Sequence, residues 1–360
     1  MRQIDAVTNR PYKILLHQNF DLLEEEIKAV CKPSQICIIT DTNVEALYLN
    51  EVQNICMRIA NTFVHAYKAG EASKNLTTIT QIYDTLVAHN MDRSGLIVAL
   101  GGGVVGDMAG FVASSYMRGI KFVQVPTTTV SQNDSSMGGK TGVDYLAHKN
   151  MVGAFYNPLL VYSNLTTLRS LPESEFTGGL AEVIKHGLIR SERLFDLLEQ
   201  NVDKLLNKED EILEEMTYES CLVKCSVIEA DLKELGLRKI LNLGHTIGHS
   251  IETLSDFTLS HGQCVAYGSC MAAYISYQRG YITEQTVERI VNVFRSYKLL
   301  SPIPHFDINA VWEQMSYDKK MAYGKISFIL LKAIGDATIV TDVTKEEVIN
   351  AILFIEKTCL

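Results

Sequence analysis

The chain has 360 residues, a length that accommodates two ordinary domains. Hydrophobic residues make up 47% and charged residues 21%, a globular composition that excludes a disordered chain. The formal net charge of −9 argues against nucleic acid or an anionic membrane surface as a general partner.

The cysteines and the N-terminus indicate the compartment. None of the eight cysteines forms a C-x-x-C pair or the spacing of a secreted disulfide framework. Cys221 and Cys225 have helical spacing, which we interpret as packing. The N-terminus lacks a signal-peptide apolar region, and no apolar run approaches the ~18 residues of a membrane span. The sequence therefore predicts a reduced, cytoplasmic protein without a membrane partner.

Strands and helices alternate in the first half of the chain. Four short apolar runs have the composition of strands: 36–40, 61–67, 96–100 and 121–125. The run at 96–100 is apolar throughout, as in a parallel strand that is buried on both faces. Helical spacing of apolar residues predicts a helix over 73–90, and another helix follows that ends near Met117. This alternation predicts an α/β domain with an open parallel sheet over residues 1–170.

Amphipathic segments dominate after about residue 170. They occupy 194–206, 211–229, 264–279 and 284–299. Two short strands are predicted at 326–331 and 337–340, and Thr344 with Glu347 forms the capping box of a last helix. The sequence thus predicts a mainly helical domain over residues 171–360.

A glycine-rich turn follows the apolar run at 96–100. Gly101, Gly103 and Gly106 match G-x-G-x-x-G between a predicted strand and a predicted helix. Glycines there let a pyrophosphate approach the backbone, and a helix N-terminus favours its negative charge. The motif comes about two strands later than a dinucleotide fingerprint usually does, and the candidate ribose-binding acid, Asp41, precedes it. A tight turn without a ligand is therefore the alternative.

The segment from Pro126 to Gly142 is rich in polar groups. It contains hydroxyls, an acid, two adjacent glycines and Lys140, and Asp144, Lys149 and Asn150 follow. This composition favours a receptor for anions and hydroxyls, and a flexible surface loop is the alternative.

Glu182 and Lys185 are three residues apart and would share one face of a helix. A surface ion pair is the ordinary explanation, but the surrounding glycines and apolar residues favour a buried, functional Glu182. His186 lies four residues from Glu182, so spacing alone leaves open which residue joins a metal site.

Three of the nine histidines fall within residues 238–262. His245 and His249 are four apart, a spacing at which one helix can supply two metal ligands. The protease motif H-E-x-x-H is not matched, because Thr246 occupies its second position. A helix with two hydrogen-bonded histidines is the alternative, and the nearby His261 favours a site.

Together these segments resemble the 3-dehydroquinate synthases and the broader sugar-phosphate cyclases. The matching segments are 41–43, 70–74, 101–107, 116–119, 126–128, 132–142, 149–150, 181–185, 238–252, 261–262 and 318–320. The resemblance implies an NAD-binding α/β domain, a mainly helical second domain, an active site in the cleft between them and a homodimer. It also implies a divalent metal, zinc first and cobalt as the alternative, held by Glu182, His245 and His261. His249 would then face the substrate.

The resemblance further implies two sets of binding residues. The substrate set holds phosphate, carboxylate or hydroxyls: Arg118, Asp134, Lys140, Lys149, Asn150, Lys185, Lys224, Arg238, Asn242, His249 and one of Lys319 and Lys320. The NAD set comprises Asp41, Asn43, Glu71, Lys74, Gly101, Gly102, Gly103, Val104, Val105, Asp107, Thr127, Thr128, Lys140 and Lys149.

The implied reaction converts 3-deoxy-D-arabino-heptulosonate 7-phosphate to 3-dehydroquinate in the shikimate pathway. C5 is oxidised transiently by NAD, phosphate is eliminated, C5 is reduced again and a carbocycle closes. Such an enzyme is a carbon–oxygen lyase. The rivals are a metal-dependent polyol dehydrogenase of the same fold, a 2-deoxy-scyllo-inosose synthase and a retired cyclase that serves as a scaffold.

Two residues depart from the family pattern. Asp144 stands where the family usually has Asn, and Gln263 stands where it usually has Glu. We expect Gln263 to remove a charge from beside the metal ligands.

Overall fold

The computed structural model describes residues 2–146, 148–255, 258–303, 306–321 and 326–359, with the side chains of 316–321 outside the description. The chain forms two compact units, Met1–Leu171 and Pro172–Leu360. Among the described residues, no helix has the length and apolar character that a membrane span requires.

The first unit is built from strands and helices that alternate. Its strands are β1 Arg2–Ala6, β2 Tyr12–His17, β3 Gln35–Asp41, β4 Asn61–Tyr67, β5 Leu96–Gly101, β6 Lys121–Pro126, β7 Lys140–Tyr145, β8 His148–Phe155 and β9 Leu160–Asn164. Its helices are α1 Leu23–Val30, α2 Thr42–Val44, α3 Asn50–Met57, α4 Leu76–Ala88 and α5 Gly103–Ser115. Single 3-10 turns lie at Glu71–Ser73, Tyr116–Arg118 and Leu165–Ser170, and π-helical turns at Glu45–Leu49 and Ser131–Ser135.

Seven strands form one sheet in the order β1-β2-β9-β6-β5-β3-β4. All neighbours are parallel except β1 and β2, which are antiparallel. β5 is buried along its whole length, as predicted for 96–100. The prediction of an α/β domain with an open, mainly parallel sheet is confirmed. The strand order adds one fact that sequence did not contain: β3 lies between β4 and β5, so the winding of the chain reverses between β3 and β5.

Several strands were not predicted. β1, β2 and β9 are short, and β7 and β8 form a separate antiparallel hairpin within the polar, glycine-rich region. Thr141 of β7 packs closely on Gly110 of α5, and Gly142 pairs with Gly153 of β8. The flexible-loop alternative for this region is therefore wrong from Lys140 onward. Its glycines permit close contact between backbones, which composition alone cannot distinguish from loop flexibility.

The second unit is mainly helical, as predicted. Its helices are α6 Glu173–Arg190, α7 Glu192–Gln200, α8 Val202–Leu206, α9 Asp210–Ala230, α10 His245–Leu254, α11 His261–Gln278, α12 Glu284–Ser296, α13 Ile308–Met321 and α14 Lys345–Thr358. Its strands are β10 Phe328–Ala333 and β11 Asp336–Val340, an antiparallel pair. The capping box of Thr344 and Glu347 is present at the start of α14.

Candidate active site

Glycines bring three helices of the second unit together. A Cβ on Gly262 of α11 would collide with the backbone of Gly178 in α6. A Cβ on Gly248 of α10 would lie 2.6 Å from the carbonyl oxygen of Cys264 in α11. Gly268 of α11 is packed just as closely on the backbone of Gly244, the residue before α10. α6 and α10 can therefore approach α11 to backbone contact, and each of the three helices contributes one side chain to the same point.

That point is the cluster of Glu182, His245 and His261. Glu182 Oε1 lies 3.5 Å from His245 Nε2 and 3.1 Å from His261 Nε2. One ligand atom from each residue lies within 4.8 Å of the others. Atoms bound to zinc at about 2.1 Å in tetrahedral geometry are roughly 3.4 Å apart, so these separations fit a shared metal ion. A carboxylate with two imidazoles also leaves a fourth position open, as in catalytic zinc sites.

Both histidines of the cluster begin a helix. His245 opens α10 after Gly244, whose φ of 79° is a left-handed conformation that favours glycine. His245 Nδ1 lies 3.0 Å from the carbonyl oxygen of Leu243, so Nδ1–H donates there and the lone pair is left on Nε2. His261 opens α11, which Ser260 caps. The described backbone thus presents both Nε2 atoms to Glu182.

The carboxylate of Glu182 is buried and ionised. Glu182 and Lys185 are each 2% exposed, and Lys185 Nζ contacts Glu182 Oε2. Burial alone would raise the pKa of Glu182, but Lys185 and His245 lower it well below its usual value. The surface ion pair that sequence allowed is therefore wrong, because both side chains lie in the interior.

His186 and His249 take different positions around this cluster. The ring of His186 is fully buried, with Nδ1 2.9 Å from Ser220 Oγ. The ring of His249 is exposed and its centroid lies 5.0 Å from that of His245 and 5.8 Å from that of His261. The ligand atoms of the described residues form two candidate groups, and the second of them comprises His249, Glu252 and His261. Among the described residues, Glu182 groups with His245 and His261 as a candidate ligand set.

Three further candidates of the second unit are placed by local hydrogen bonds or burial. Lys224 of α9 is buried. Arg238 is also buried, and its guanidinium donates to the carbonyl oxygen of Leu232 at 2.8 Å. Asn242 Nδ2 donates to Glu234 Oε1 at 2.8 Å. The side chains of Lys319 and Lys320 lie outside the described residues, so these two candidates stay predictions.

Gln263 does not lie where sequence suggested. Its Oε1 accepts from the backbone N–H of Ser260 at 3.0 Å, and its Nε2 donates to Ser301 Oγ at 3.2 Å. Gln263 therefore caps α11 instead of contacting the cluster. Residues two apart on a helix point in nearly opposite directions, so its closeness to His261 in sequence was misleading.

A second group of candidates lies in the first unit, at the carboxyl ends of β3 and β5. Parallel sheets bind ligands at the point where the winding reverses, outside the carboxyl ends of the strands. Asp41 ends β3, and the turn Gly101–Gly103 ends β5 and begins α5. This topology explains why the glycines come two strands late and after the acid. The two features flank the reversal point in space, in an order that sequence position does not reveal.

Side chains at the glycines of this turn would crowd neighbouring residues. A Cβ on Gly102 would lie 3.1 Å from Thr128 Cγ2, and a Cβ on Gly103 would lie 3.1 Å from Ser135 Oγ. Val105 is buried beneath Gly101, and Val104 packs on the edge of the same core. Gly102 offers no side-chain cap to the first N–H groups of the 13-residue helix α5, an arrangement that suits phosphate.

Several candidate cofactor- and substrate-binding residues surround the ammonium group of Lys74. It is buried, with Nζ 2.7 Å from Asp107 Oδ2, 2.5 Å from Asn150 Oδ1 and 3.9 Å from Glu71 Oε1. Burial would lower the pKa of Lys74, but the carboxylates of Asp107 and Glu71 outweigh burial and raise it. Asp144 Oδ1 accepts from the backbone N–H of Asn150 at 2.7 Å. Asp144 therefore fixes the position of Asn150, whose side chain contacts Lys74.

The remaining first-unit candidates lie in turns and on the hairpin. Asp41 Oδ1 accepts from the backbone N–H groups of Asn43 and Val44 at 2.9 and 3.0 Å. Thr127 N–H donates to the carbonyl oxygen of Gly101 at 3.0 Å. Three cations have exposed side chains: Arg118, Lys140 and Lys149. Asp134 lies in the turn Ser131–Ser135.

Part of the polar segment is structural. Gln132 is fully buried, and its Nε2 donates to the carbonyl oxygens of Pro126 and Asn164 at 3.1 and 2.9 Å. It also approaches Thr167 Oγ1 at 3.0 Å. The hydroxyls and amides of this segment therefore serve the core in part, which composition did not indicate.

Sequence reasoning missed two residues beside these sites. Glu252 Oε2 lies 3.4 Å from His261 Nδ1. The signal was present, because His245, His249 and Glu252 are spaced i, i+4, i+7 and share a helix face. Tyr67 ends β4 directly beside Asp41, and its buried hydroxyl has no hydrogen-bond partner among the described residues. Only strand register brings Tyr67 to this position.

Comparison with known proteins assigns a family to both units. The family described as 3-dehydroquinate synthase N-terminal matches residues 64–178, and the family described as 3-dehydroquinate synthase C-terminal matches residues 179–321. A 3-dehydroquinate synthase of Ruminiclostridium cellulolyticum is 41% identical over 338 residues, which is 93% of this chain and 94% of the relative.

Two solved structures share the whole fold. The first is 2-epi-5-epi-valiolone synthase of Streptomyces hygroscopicus, with NAD⁺ and Zn²⁺ bound. It has a TM-score of 0.90 and 25% identity and covers 99% of each chain. The second is a 2-deoxy-scyllo-inosose synthase complexed with carbaglucose-6-phosphate, NAD⁺ and Co²⁺. It has a TM-score of 0.89 and 24% identity over 99% of this chain and 100% of that chain, a likeness of fold alone.

Proposed function

We propose that this chain, which belongs to the 3-dehydroquinate synthase family, converts 3-deoxy-D-arabino-heptulosonate 7-phosphate to 3-dehydroquinate and releases phosphate. The observation that carries the proposal is the cluster of buried Glu182 with His245 and His261 in a chain that matches the family over both units. A carboxylate and two imidazoles around one point constitute a metal centre for substrate hydroxyls. The enzyme is accordingly a lyase-type cyclase.

The donor set of this cluster fits zinc, with cobalt as the alternative. Both ions accept nitrogen and oxygen ligands, and the two structural relatives carry Zn²⁺ and Co²⁺ respectively. When bound, the ion supplies Lewis acidity that eases loss of a proton from the substrate hydroxyl to be oxidised. Lys185 holds Glu182 in its ionised form, and the carbonyl of Leu243 holds His245 in the tautomer whose Nε2 can bind metal.

The cofactor we propose is NAD, held by the first unit. Bound NAD supplies a transient acceptor for the C5 hydride, so the overall reaction consumes none. The N–H groups of the turn Gly101–Gly103 would hold its pyrophosphate, and Asp41 would accept from a ribose hydroxyl. Lys74, set by Asp107 and Asn150, provides a fixed ammonium group for the same ligand. NAD⁺ in both structural relatives supports this assignment.

The substrate we propose is a sugar phosphate, which requires cations in an acidic protein. The residues proposed to hold its anionic groups are Arg118, Lys140, Lys149, Lys224 and Arg238, whereas Lys185 pairs with Glu182. Arginine suits phosphate and carboxylate by its planar pair of donors, and lysine suits them as a point charge. His249, Asp134, Asn150 and Asn242 would bind hydroxyls. A simple dehydrogenase would need no such set of cations.

The reaction itself separates this proposal from its rivals. With catalytic NAD and zinc, the protein should release one phosphate per heptulosonate phosphate without net accumulation of NADH. Phosphate is measured by a coupled assay and NADH by its absorbance. Chelation of the metal should stop release, and added zinc should restore it.

Each other outcome of that assay selects a different function. Stoichiometric NADH from a polyol would favour the dehydrogenase. Phosphate release from glucose 6-phosphate, and not from heptulosonate phosphate, would favour the inosose synthase. Absence of turnover by protein that binds both zinc and NAD would favour the scaffold.

We also propose a cytoplasmic homodimer. All eight cysteines are free and buried, as expected in a reducing compartment. Four large apolar side chains on the β7–β8 hairpin and its turn are exposed: Tyr145, Leu146, Met151 and Phe155. A second copy would cover such side chains, and Leu146 is 85% exposed. Sedimentation velocity should give twice the chain mass, and a monomer at micromolar concentration would contradict the dimer.

A further inference from the structure

We propose that Glu252 is a positioning residue of the metal centre, which accepts a hydrogen bond from His261 Nδ1 and so directs Nε2 of the same ring toward Glu182. The inference rests on the proposed function, because it concerns the metal centre. It assigns a role to a carboxylate that sequence reasoning did not include in the site, and it places the charged neighbour of the ligands at Glu252 instead of at position 263.

The ring of His261 lies between two carboxylates. Its Nδ1 is 3.4 Å from Glu252 Oε2, and its Nε2 is 3.1 Å from Glu182 Oε1. A separation of 3.4 Å is longer than an ideal hydrogen bond but within reach of a small rotation of the ring. The two carboxylates come from different helices, α10 and α6, so they fix the ring plane from opposite ends.

The two histidines of the cluster are held in matching ways. His245 Nδ1 lies 3.0 Å from the carbonyl oxygen of Leu243, and His261 Nδ1 faces the carboxylate of Glu252. In each ring, an oxygen at Nδ1 selects the tautomer that leaves Nε2 for the metal. Partners of this kind orient metal-binding histidines and increase their basicity.

Burial explains why Glu252 is suited to this task. The side chain of His261 is 40% exposed, whereas that of Glu252 is 7% exposed. An exposed ring at the first position of a helix has freedom to rotate, and a carboxylate fixed in the interior restricts it. A buried carboxylate also requires hydrogen-bond donors, and Nδ1–H supplies one. The contact therefore satisfies the buried carboxylate of Glu252 and restricts rotation of the His261 ring.

The same side chains allow one other arrangement. Ligand atoms of His249, Glu252 and His261 also lie within 4.8 Å of one another, so Glu252 could bind a separate ion. His249 is exposed in that group, and His261 would have to use Nδ1 for it. Two measurements distinguish positioning from ligation by Glu252. Ligation at both groups requires two ions per chain, and a single ion held by the second group would be lost from His249→Ala, whereas positioning requires one ion that His249→Ala retains.

The test compares four variants of the full-length protein with wild type. Glu252→Met keeps the side-chain length but removes the acceptor, Glu252→Gln keeps a neutral acceptor, and Glu252→Asp withdraws the carboxylate by one carbon. Thr253→Ala, at an exposed position on the same helix, is the control. Zinc affinity is measured by competition with a chelator, and the visible spectrum of Co²⁺-loaded protein reports the ligand geometry.

We expect Glu252→Met to weaken zinc binding about 10–100-fold and to alter the Co²⁺ spectrum. Glu252→Gln should retain most of the affinity, Glu252→Asp should fall between them, and Thr253→Ala should match wild type. A role in packing alone would leave the zinc affinity and the Co²⁺ spectrum of Glu252→Met unchanged, because methionine keeps the side-chain length. If Glu252→Met fails to fold, the loss in Glu252→Asp still decides the question.

Three outcomes would overturn the inference. They are an unchanged affinity and spectrum in Glu252→Met, an equal loss in Glu252→Gln and Glu252→Met, and two zinc ions per wild-type chain. Wild-type protein that binds no zinc would instead overturn the proposed metal centre, and this inference with it.

Discussion

Replacing His261 by alanine is expected to abolish phosphate release and to remove bound metal. His261 supplies one of three candidate ligand atoms, with Nε2 3.1 Å from Glu182 Oε1. Loss of a ligand should weaken zinc binding by more than the ~10–100-fold that loss of a ligand's hydrogen-bond partner costs. Metal content after dialysis, measured by atomic spectrometry, and phosphate release are the two readouts. Far-ultraviolet circular dichroism should remain that of a folded, mainly helical second unit.

His249 provides the matched control for that experiment. Its ring neighbours the same cluster but is exposed and is proposed to contact substrate. His249→Ala should keep stoichiometric zinc and lose turnover. Zinc retained by His261→Ala would contradict the ligand set, and zinc lost from His249→Ala would instead favour the second group, of His249, Glu252 and His261.

Replacing Gly262 by alanine is expected to have the second large effect. The new Cβ would meet the carbonyl group and Cα of Gly178, which are backbone atoms and cannot rotate away. α6 and α11 would have to separate, at a cost of about 1–3 kcal/mol in the free energy of unfolding. The same movement would draw His261 away from Glu182, so zinc affinity should fall together with stability. Denaturant unfolding of the metal-free protein and chelator competition measure the two effects.

Gly178 supplies a control from the same contact. A Cβ on Gly178 meets no heavy atom within 4 Å. Gly178→Ala should therefore leave zinc affinity unchanged and stabilise α6 by up to about 1 kcal/mol, because alanine favours a helix interior over glycine. Equal effects of the two substitutions would contradict the argument that backbone contact between these helices positions the metal ligands.

Local sequence patterns predicted the helices and strands. Which strands and residues are neighbours in space became known only from the structure. The apolar run at 96–100 predicted a doubly buried strand because burial on both faces leaves a local record. No local pattern predicted that Asp41 and the turn Gly101–Gly103 lie close together. Their shared position depends on β3 lying between β4 and β5, and no local pattern of residues encodes strand order.

Some residues of the candidate site were likewise predicted from local patterns, and others were not. The spacing of His245 and His249 indicated a helix face, but the partner of His245 in the cluster is His261, which begins another helix. Resemblance to a family, and not spacing, suggested that partner. Glu252 was within reach of pattern reasoning but resembled an ordinary solvated charge. Gln263 was placed beside the metal because it is close to His261 in sequence, although two residues of helix turn it away.

The excursion between β6 and β9 has a consequence for how the chemistry of this fold can change. β6 and β9 are neighbours in the sheet, so residues 127–159 leave the sheet and return to the adjacent strand. That segment carries Thr127, Thr128, Asp134, Lys140, Asp144, Lys149 and Asn150. The paired residues of the seven-stranded sheet lie outside this segment, so its exposed side chains, such as Lys140 and Lys149, can be exchanged while the scaffold persists, whereas Gln132 is fixed by the core. Substrate preference among cyclases of this fold can therefore change through substitutions in this one segment.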